Sequence, residues 1–251
     1  YHFVQWSDGK TKNPRTLELT QDTILIAEFA LTQSGQCGDN LYWELIDDTL
    51  HITGTGEMYY YISETARWKR SIKALCIGES VTSIGYEAFS GCSSLTSVTI
   101  PNSVTNIGYD AFSKCSSLTS VTIGESVTSI GYDAFQGCSS LTSVTINSNA
   151  IVSKDYSYDD NISDIFGSQV TEYIIGNKVK DIGPYAFYGC SSLTSVTIPN
   201  SVTYIGDEAF YGCYSLTSVT CEAETPPTLG SYIFNGVSKS IPVYVPCGCV
   251  E

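Results

Sequence analysis

The sequence predicts a repeat solenoid, mainly β with short helical or 3-10 turns, and three observations carry that prediction. The dipeptide Ile-Gly recurs at Ile84-Gly85, Ile107-Gly108, Ile130-Gly131, Ile182-Gly183 and Ile205-Gly206, with gaps of 23, 23, 52 and 23 residues. Fixed offsets repeat with it: Phe89, Phe112, Phe135, Phe187 and Phe210, then Cys92, Cys115, Cys138, Cys190 and Cys213, then Leu95, Leu118, Leu141, Leu193 and Leu216, each opening Leu-Thr-Ser-Val-Thr. Inside each unit apolar residues alternate with hydroxyls, as in Ser97-Val98-Thr99-Ile100, which is the period of a strand. A fixed period of this length marks coils that cannot bury an apolar face alone and must stack to do so.

The elements follow in chain order. Alternation in Leu41/Trp43/Leu45 and in Leu50/Ile52 predicts a hairpin turning at Asp47-Asp48-Thr49. Trp68 would shield the first coil. Eight strands are expected at 72–77, 95–100, 118–123, 141–146, 170–175, 193–198, 216–221 and 241–245. In one unit, Val98 and Ile100 point inward while Ser97 and Thr99 point out. Pro101 ends the strand, having no amide to donate. Val104 and Ile107 turn inward across the bend, and Gly108 is expected to relieve the backbone at the corner. Ala111 and Phe112 bring a short turn back over the core, and Cys115 and Leu118 close the coil. The 52-residue gap holds one degenerate unit, with Phe166 in the Phe slot and Val170, Tyr173 and Ile175 in the strand slots. Its extra length is placed at 147–165, rich in Asn, Ser, Asp and Tyr.

Composition narrows the function classes. The 251 residues include 12 basic and 26 acidic side chains, a formal charge of −14, and 42% are apolar. That apolar fraction supports a core and rules out wholesale disorder. No run approaches the ~18 apolar residues of a membrane helix. The charge argues against nucleic acid and anionic lipid as partners, since phosphate binding needs clustered Lys and Arg. Only His2 and His51 occur, both outside the repeats, which removes most Ser/His and Cys/His nucleophile schemes and most His-ligated metal sites. No Gly-rich phosphate loop precedes a helix and no Gly-x-Ser-x-Gly elbow occurs. No enzymatic activity, no cofactor and no metal are therefore expected. The chain begins at Tyr1, within a strand-like pattern and without a basic-then-apolar signal, so the expectation is a piece of a longer protein.

The ten cysteines invite a disulfide framework by their even number. The repeat favours free core thiols for Cys92, Cys115, Cys138, Cys190 and Cys213, one per coil in a column, where a small thiol packs well. None of these five has C-x-x-C spacing, which disfavours a thiolate metal cluster. Cys247 and Cys249 are open between a local bond and exposure. Cys76 projects outward from the first strand and is open between exposure and cover by the cap.

Three sets of residues are candidates for ligand binding. Tyr86, Tyr109 and Tyr132 recur at one position, followed by Glu87, Asp110 and Asp133, and stacking would align them into an aromatic and acidic ladder. Tyr offers rigid amphipathic contact area at low entropic cost; the alternative is rings partly buried against their neighbours. The insertion offers Asp155, Tyr156, Tyr158 and Asp159, since insertions in repeat arrays often lie on a binding face; the alternative is a solvated irregular loop. The alternate spacing of Asp155, Ser157, Asp159 and Asn161 suggests a calcium loop, but the required glycine and glutamate are missing. Glu172 and Ile174 interrupt a concave strip of strand hydroxyls, Ser97/Thr99 through Ser218/Thr220, which otherwise reads as ordinary solvated strand residues.

The unit I-G-x-x-A-F-x-x-C-x-S-L-T-S-V-T-I-P-N-S-V-T-x resembles the BspA-like leucine-rich repeats of bacterial surface proteins, also called the Treponema pallidum class. That resemblance implies a right-handed leucine-rich-repeat superhelix with an N-terminal β-hairpin cap. Ser34 to Leu45 followed by Leu50 to Met58 resembles the family's cap, and Val243-Tyr244-Val245-Pro246-Cys247-Gly248 its terminal unit. Phe3 to Gly9, Asn13-Pro14 and the stretch Leu17 to Phe29 resemble the C-terminal half of an InlB-type B repeat, a small β-grasp-like module. The expected organisation is a partial B repeat at 1–31, a cap at 32–71, and repeats at 72–251 with a terminal unit at 234–251. By resemblance, the expected function is a non-enzymatic extracellular or cell-surface module, a monomer, mediating adhesion to a protein or glycan of a host or neighbouring cell. The near-uniform repeats suit an alternative, a structural spacer presenting other domains.

Overall fold

A computed structural model describes residues 2–6, 11, 27–30, 33–60, 68 and 72–246. Two short strands near the start, β1 (His2–Trp6) and β2 (Ala27–Ala30), pair antiparallel. Most of the segment resembling a B repeat lies outside the described residues, as do Cys247 and Cys249.

The cap is three antiparallel strands, β3 (Gln33–Gly38), β4 (Asn40–Ile46) and β5 (Thr49–Glu57), with the β4–β5 turn where the sequence places it. Asp47 holds a φ of 53° there, a left-handed value that Asp tolerates. β5 is long and serves two edges. Its first half pairs in parallel with β6 (Ala74–Ile77), and beyond the bend Gly56 pairs with Val81 in the strand Val81–Ile84. Gly54 sits in that bend at φ +99°, and a Cβ there would collide with the Asn40 carbonyl at 2.1 Å. The first predicted strand therefore hydrogen-bonds to the cap, whereas the other seven form one sheet of their own.

That sheet is parallel and in register throughout. Ser97–Thr99, Ser120–Ile123, Ser143–Ile146, Glu172–Ile175, Ser195–Ile198, Ser218–Cys221 and Val243–Tyr244 lie side by side. Val98 pairs with Val121, Val121 with Val144, Val144 with Tyr173, and Tyr173 with Val196. The first threonine of each unit reinforces the stack: Thr119, Thr142, Thr171, Thr194 and Thr217 each donate a side-chain hydroxyl to the matching Thr carbonyl one coil earlier, at 2.9–3.5 Å.

A second edge of short strands was not predicted. Val81–Ile84, Asn106–Ile107 and Ser129–Ile130 pair in parallel, and so do Asp181–Ile182, Tyr204–Ile205 and Thr228–Leu229. The Ile of each Ile-Gly lies here, buried, apart from the half-buried Ile130. The role of the Gly also differs from the expected corner relief. Gly108 approaches the preceding coil so closely that a Cβ would meet the Gly85 carbonyl carbon and the Tyr86 nitrogen at 2.8 Å. The left-handed corner falls two residues later, at Glu87, Asp110, Asp133, Tyr185, Glu208 and Tyr232, with φ between 50° and 57°.

The core lies between the two edges. Val104, Ile107, Ala111, Phe112, Cys115, Leu118, Val121 and Ile123 are all buried, as the unit predicts. The Phe side chains stack as a column, with Phe89–Phe112 and Phe112–Phe135 ring centroids 5.1 and 5.2 Å apart. Trp68 closes it at the cap, 6.4 Å from Phe89 and 5.1 Å edge-on from Trp43. Beside it, Cys115, Cys138 and Cys213 donate their thiols to the Phe89, Phe112 and Phe187 carbonyls of the preceding coil at 3.2–3.3 Å. The five repeat cysteines are buried free thiols; Cys76 is exposed, not covered.

The insertion is built into the solenoid. Helix α1 (Asn149–Val152) begins at Ser148, whose hydroxyl accepts from the Ile151 amide, and buries Ile151 and Val152. Val152 takes the place of the corner isoleucine, its carbonyl accepting from the Gly183 amide at 2.9 Å. Helix α2 (Ile162–Phe166) begins at Asn161, with Asp164 accepting from the Asn161 amide. It sets Phe166 in the Phe column, 5.0 Å from Phe135. Tyr173 spans the wider step from there to Phe187, 6.4 and 5.1 Å from the two rings. Gln169 fills the cysteine slot, its amide donating to the Cys138 and Phe166 carbonyls at 3.2 and 3.0 Å. The extra residues are therefore concentrated between Val152 and Phe166, 14 positions apart where Ile107 and Phe112 are 5 apart.

Candidate functional site

The turn edge, where the left-handed corner residues lie, is the face on which the coils differ most. The residue after the core Phe is Ser90, Ser113 and Gln136 in three coils before the insertion, but Tyr188 and Tyr211 in the two after it. Coil stacking therefore sets Tyr188 against Tyr211, ring centroids 5.0 Å apart and nearly parallel at 8°. Tyr185 occupies a left-handed corner, its ring 5.7 Å from Tyr188 and its hydroxyl 3.4 Å from Glu208 of the next coil. Tyr214 is 69% exposed and lies over the Gly212 and Gly236 backbones, where a Cβ would meet its ring at 3.8 and 3.0 Å.

The insertion adds to this edge. The Tyr156 amide donates to Pro184 and the Ile162 amide to Ala186, at 3.2 and 3.0 Å, docking the segment on the coil that carries Tyr185 and Tyr188. Reciprocal backbone bonds between Ser157 and Asp160 close a tight turn with Tyr158 and Asp159 at its tip, both exposed. Carboxylates stand beside two of these tyrosines. Asp159 raises the Tyr158 hydroxyl pKa, with a contribution from Tyr188. Glu208 raises that of Tyr185. Burial raises that of Tyr188, followed by Tyr211, Glu208, Tyr214 and Asp159. At the margin, Lys154 bonds to the Asp160 carboxylate at 2.9 Å and lies over the Tyr156 ring, 4.7 Å from its centroid.

The residues singled out from sequence fall in several places. Tyr158 and Asp159 belong to this patch. Tyr156 does not reach the surface: it is buried, with its hydroxyl donating to the Ile151 carbonyl at 2.8 Å. Asp155 is exposed beside it. Tyr109 and Tyr132 are exposed and Tyr86 half-buried, but no ring contact joins the three among the described residues. Glu87 beside Tyr86 raises its hydroxyl pKa. Glu172 and Ile174 stand on the outward face of the parallel sheet, where Ser143 donates to the Glu172 carboxylate at 2.9 Å. Sequence reading passed over Tyr185, Tyr188, Tyr211 and Tyr214. A column-by-column comparison of the units would find Tyr188, Tyr211 and Tyr214, because each replaces a small polar residue at a slot next to an invariant one. Among the described residues no group of three or more His, Cys, Asp and Glu side chains could hold a metal ion, and no helix is long and apolar enough to cross a membrane.

The family described as BspA-type leucine-rich repeat region matches residues 61–166 and 163–250, in six copies. Among solved structures, the chain is similar to a leucine-rich repeat protein from Eubacterium ventriosum, at 20% identity over 82% of this chain and 76% of that one, TM-score 0.35. It is similar to the T. pallidum leucine-rich repeat protein at 26% identity, covering 84% and 88% of the two chains, TM-score 0.36. A leucine-rich cell surface protein from Faecalibacterium prausnitzii matches at 28% identity, with 80% of this chain aligned to 57% of that one, TM-score 0.34. No curated protein matches.

Proposed function

Because the chain belongs to the BspA-type leucine-rich-repeat family, we propose that it is a non-enzymatic binding module of a bacterial surface or secreted protein, engaging an extracellular protein or glycan. One observation carries this reading. A scaffold whose core columns are almost invariant replaces Ser and Gln by Tyr188 and Tyr211 on the edge where the insertion adds Tyr158 and Asp159. Tyrosine concentrated on a rigid edge is the composition of recognition surfaces, since its large ring loses little entropy on contact. The spacer reading draws on the other half of the array, where coils 97–146 are nearly uniform and their hydroxyl strip is an ordinary solvated face.

A screen of the protein against immobilised extracellular-matrix proteins and a glycan array separates the two. The expected outcome is saturable binding that weakens when Tyr158 and Tyr214 are both changed to alanine. Absence of saturable binding to either class would leave the spacer.

A further inference from the structure

We infer that the tyrosine and carboxylate patch around Tyr188 recognises a basic, lysine- or arginine-bearing segment of a partner protein. This rests on the binding-module reading and adds the chemistry of the partner. The chain already contains one instance of that recognition. In the insertion turn the Lys154 ammonium is held between the Tyr156 ring face, at 4.7 Å, and the Asp160 carboxylate, at 2.9 Å. A ring face supplies cation–π attraction and a carboxylate supplies charge-assisted hydrogen bonding, and an ammonium uses both. Rings and carboxylates also stand together at the tip of that turn and on the coils beside it, without a lysine between them. Tyr158 stands beside Asp159 at the exposed tip, Tyr188 stacks on Tyr211 close to Glu208, and Tyr214 lies open over the glycines.

Charge and ring geometry agree on the class of partner. The net charge of −14 draws a basic segment in from a distance at low salt. Asp159 and Glu208, which raise the Tyr158 and Tyr185 hydroxyls, favour a cation placed beside them. A flat sugar platform needs neighbouring ring faces turned outward side by side, whereas the nearly parallel Tyr188 and Tyr211 face each other and each spends one face there. An acidic or phosphorylated partner would meet like charge.

The test is binding of a short synthetic lysine–glycine peptide to the intact protein, with a glutamate–glycine peptide of equal length and neutral glycans as the other arms. The lysine peptide is expected to bind, more weakly as salt rises, and the glutamate peptide and glycans are not. Tyr158→Ala with Tyr214→Ala should weaken it roughly tenfold, in line with the loss of exposed cation–π contacts, and so should Asp159→Asn with Glu208→Gln. Tyr158→Phe with Tyr214→Phe should retain most of the affinity, because the ring faces survive. Tyr109→Ala with Tyr132→Ala, at the other half of the edge, should leave it unchanged. Tyr158 and Tyr214 are exposed, so an unchanged melting temperature will confirm that those variants fold. Equal binding by wild type and patch variants would assign the attraction to diffuse net charge and overturn the inference. Absence of peptide binding overturns it too, and so does glycan binding lost with the tyrosines. In either case saturable binding to matrix proteins or glycans leaves the module reading standing, and its absence there sinks both.

Discussion

The thiol of each coil is a hydrogen-bond donor as well as a filler of space. Cys115, Cys138 and Cys213 each point at the Phe carbonyl of the coil before, adding a second hydrogen bond to an acceptor that already receives the amide three residues on. The spacing of the cysteines was enough to place them in the core, because a residue recurring at one slot of a closed coil must stack on itself. Their partners were not legible, since the carbonyl belongs to another coil and its direction depends on the turn geometry. Burial pushes the Cys37 and Cys213 thiols up to about 12. The folded chain therefore holds these protons more tightly than the unfolded chain, so the stabilisation is full below the ordinary thiol range and is lost as pH rises towards the folded value. Under reducing conditions the melting temperature should be flat to about pH 8 and then fall, with each such thiol contributing up to ~1.4 kcal/mol per pH unit. Thermal melts from neutral to alkaline pH will measure this, and Cys213→Ala should make the decline shallower. An equally steep decline in that variant would refute the thiol explanation.

The insertion shows what periodicity does and does not reveal about an element. Phe166, Val170, Tyr173 and Ile175 were assignable because the apolar slots survive when the rest of the unit does not. The two helices were not, because each is about one turn long and is held by caps and docking, not by any amphipathic run. Gln169 shows the compensation this requires: with no cysteine in its slot, an amide reaches both carbonyls. Gln169→Ala should cost roughly 1–3 kcal/mol by removing the side-chain donor from the Phe166 carbonyl, the Cys138 carbonyl keeping the Leu141 amide, seen as a lower urea midpoint at unchanged slope. An unaltered midpoint would mean that water replaces the amide. The tyrosine patch escaped sequence reading for the opposite reason. Periodicity singles out the column that repeats, Tyr86, Tyr109 and Tyr132, whereas Tyr188, Tyr211 and Tyr214 stand where repetition fails.

At the scale of the molecule, each coil packs its core on its immediate neighbours, although Lys178 reaches past one coil to the Glu125 carboxylate at 2.8 Å, so stability is close to a sum of coils and the contacts between them. Phe112 is stacked on both sides and fully buried, whereas Phe234 has one such neighbour, Phe210, and is only partly buried. Phe112→Ala should cost about 3–5 kcal/mol and Phe234→Ala clearly less. Chemical denaturation of the two variants will rank them, and equal losses would contradict nearest-neighbour additivity. The strands of the solenoid were legible in the sequence because the same apolar slots recur in every coil, including the one that breaks the 23-residue spacing. The second edge was not, because five of its six strands are two residues long and carry no alternation to detect.

The two edges also differ in continuity. The parallel sheet runs unbroken past the insertion, Ser143 to Glu172 to Ser195, while on the opposite side α1 separates one trio of short strands from the next. A rod with one intact rail and one severed rail is stiff except at the cut. Bending loads applied to its ends concentrate there, so flexing would open or close the angle beside the insertion and alter the spacing of the side chains it displays.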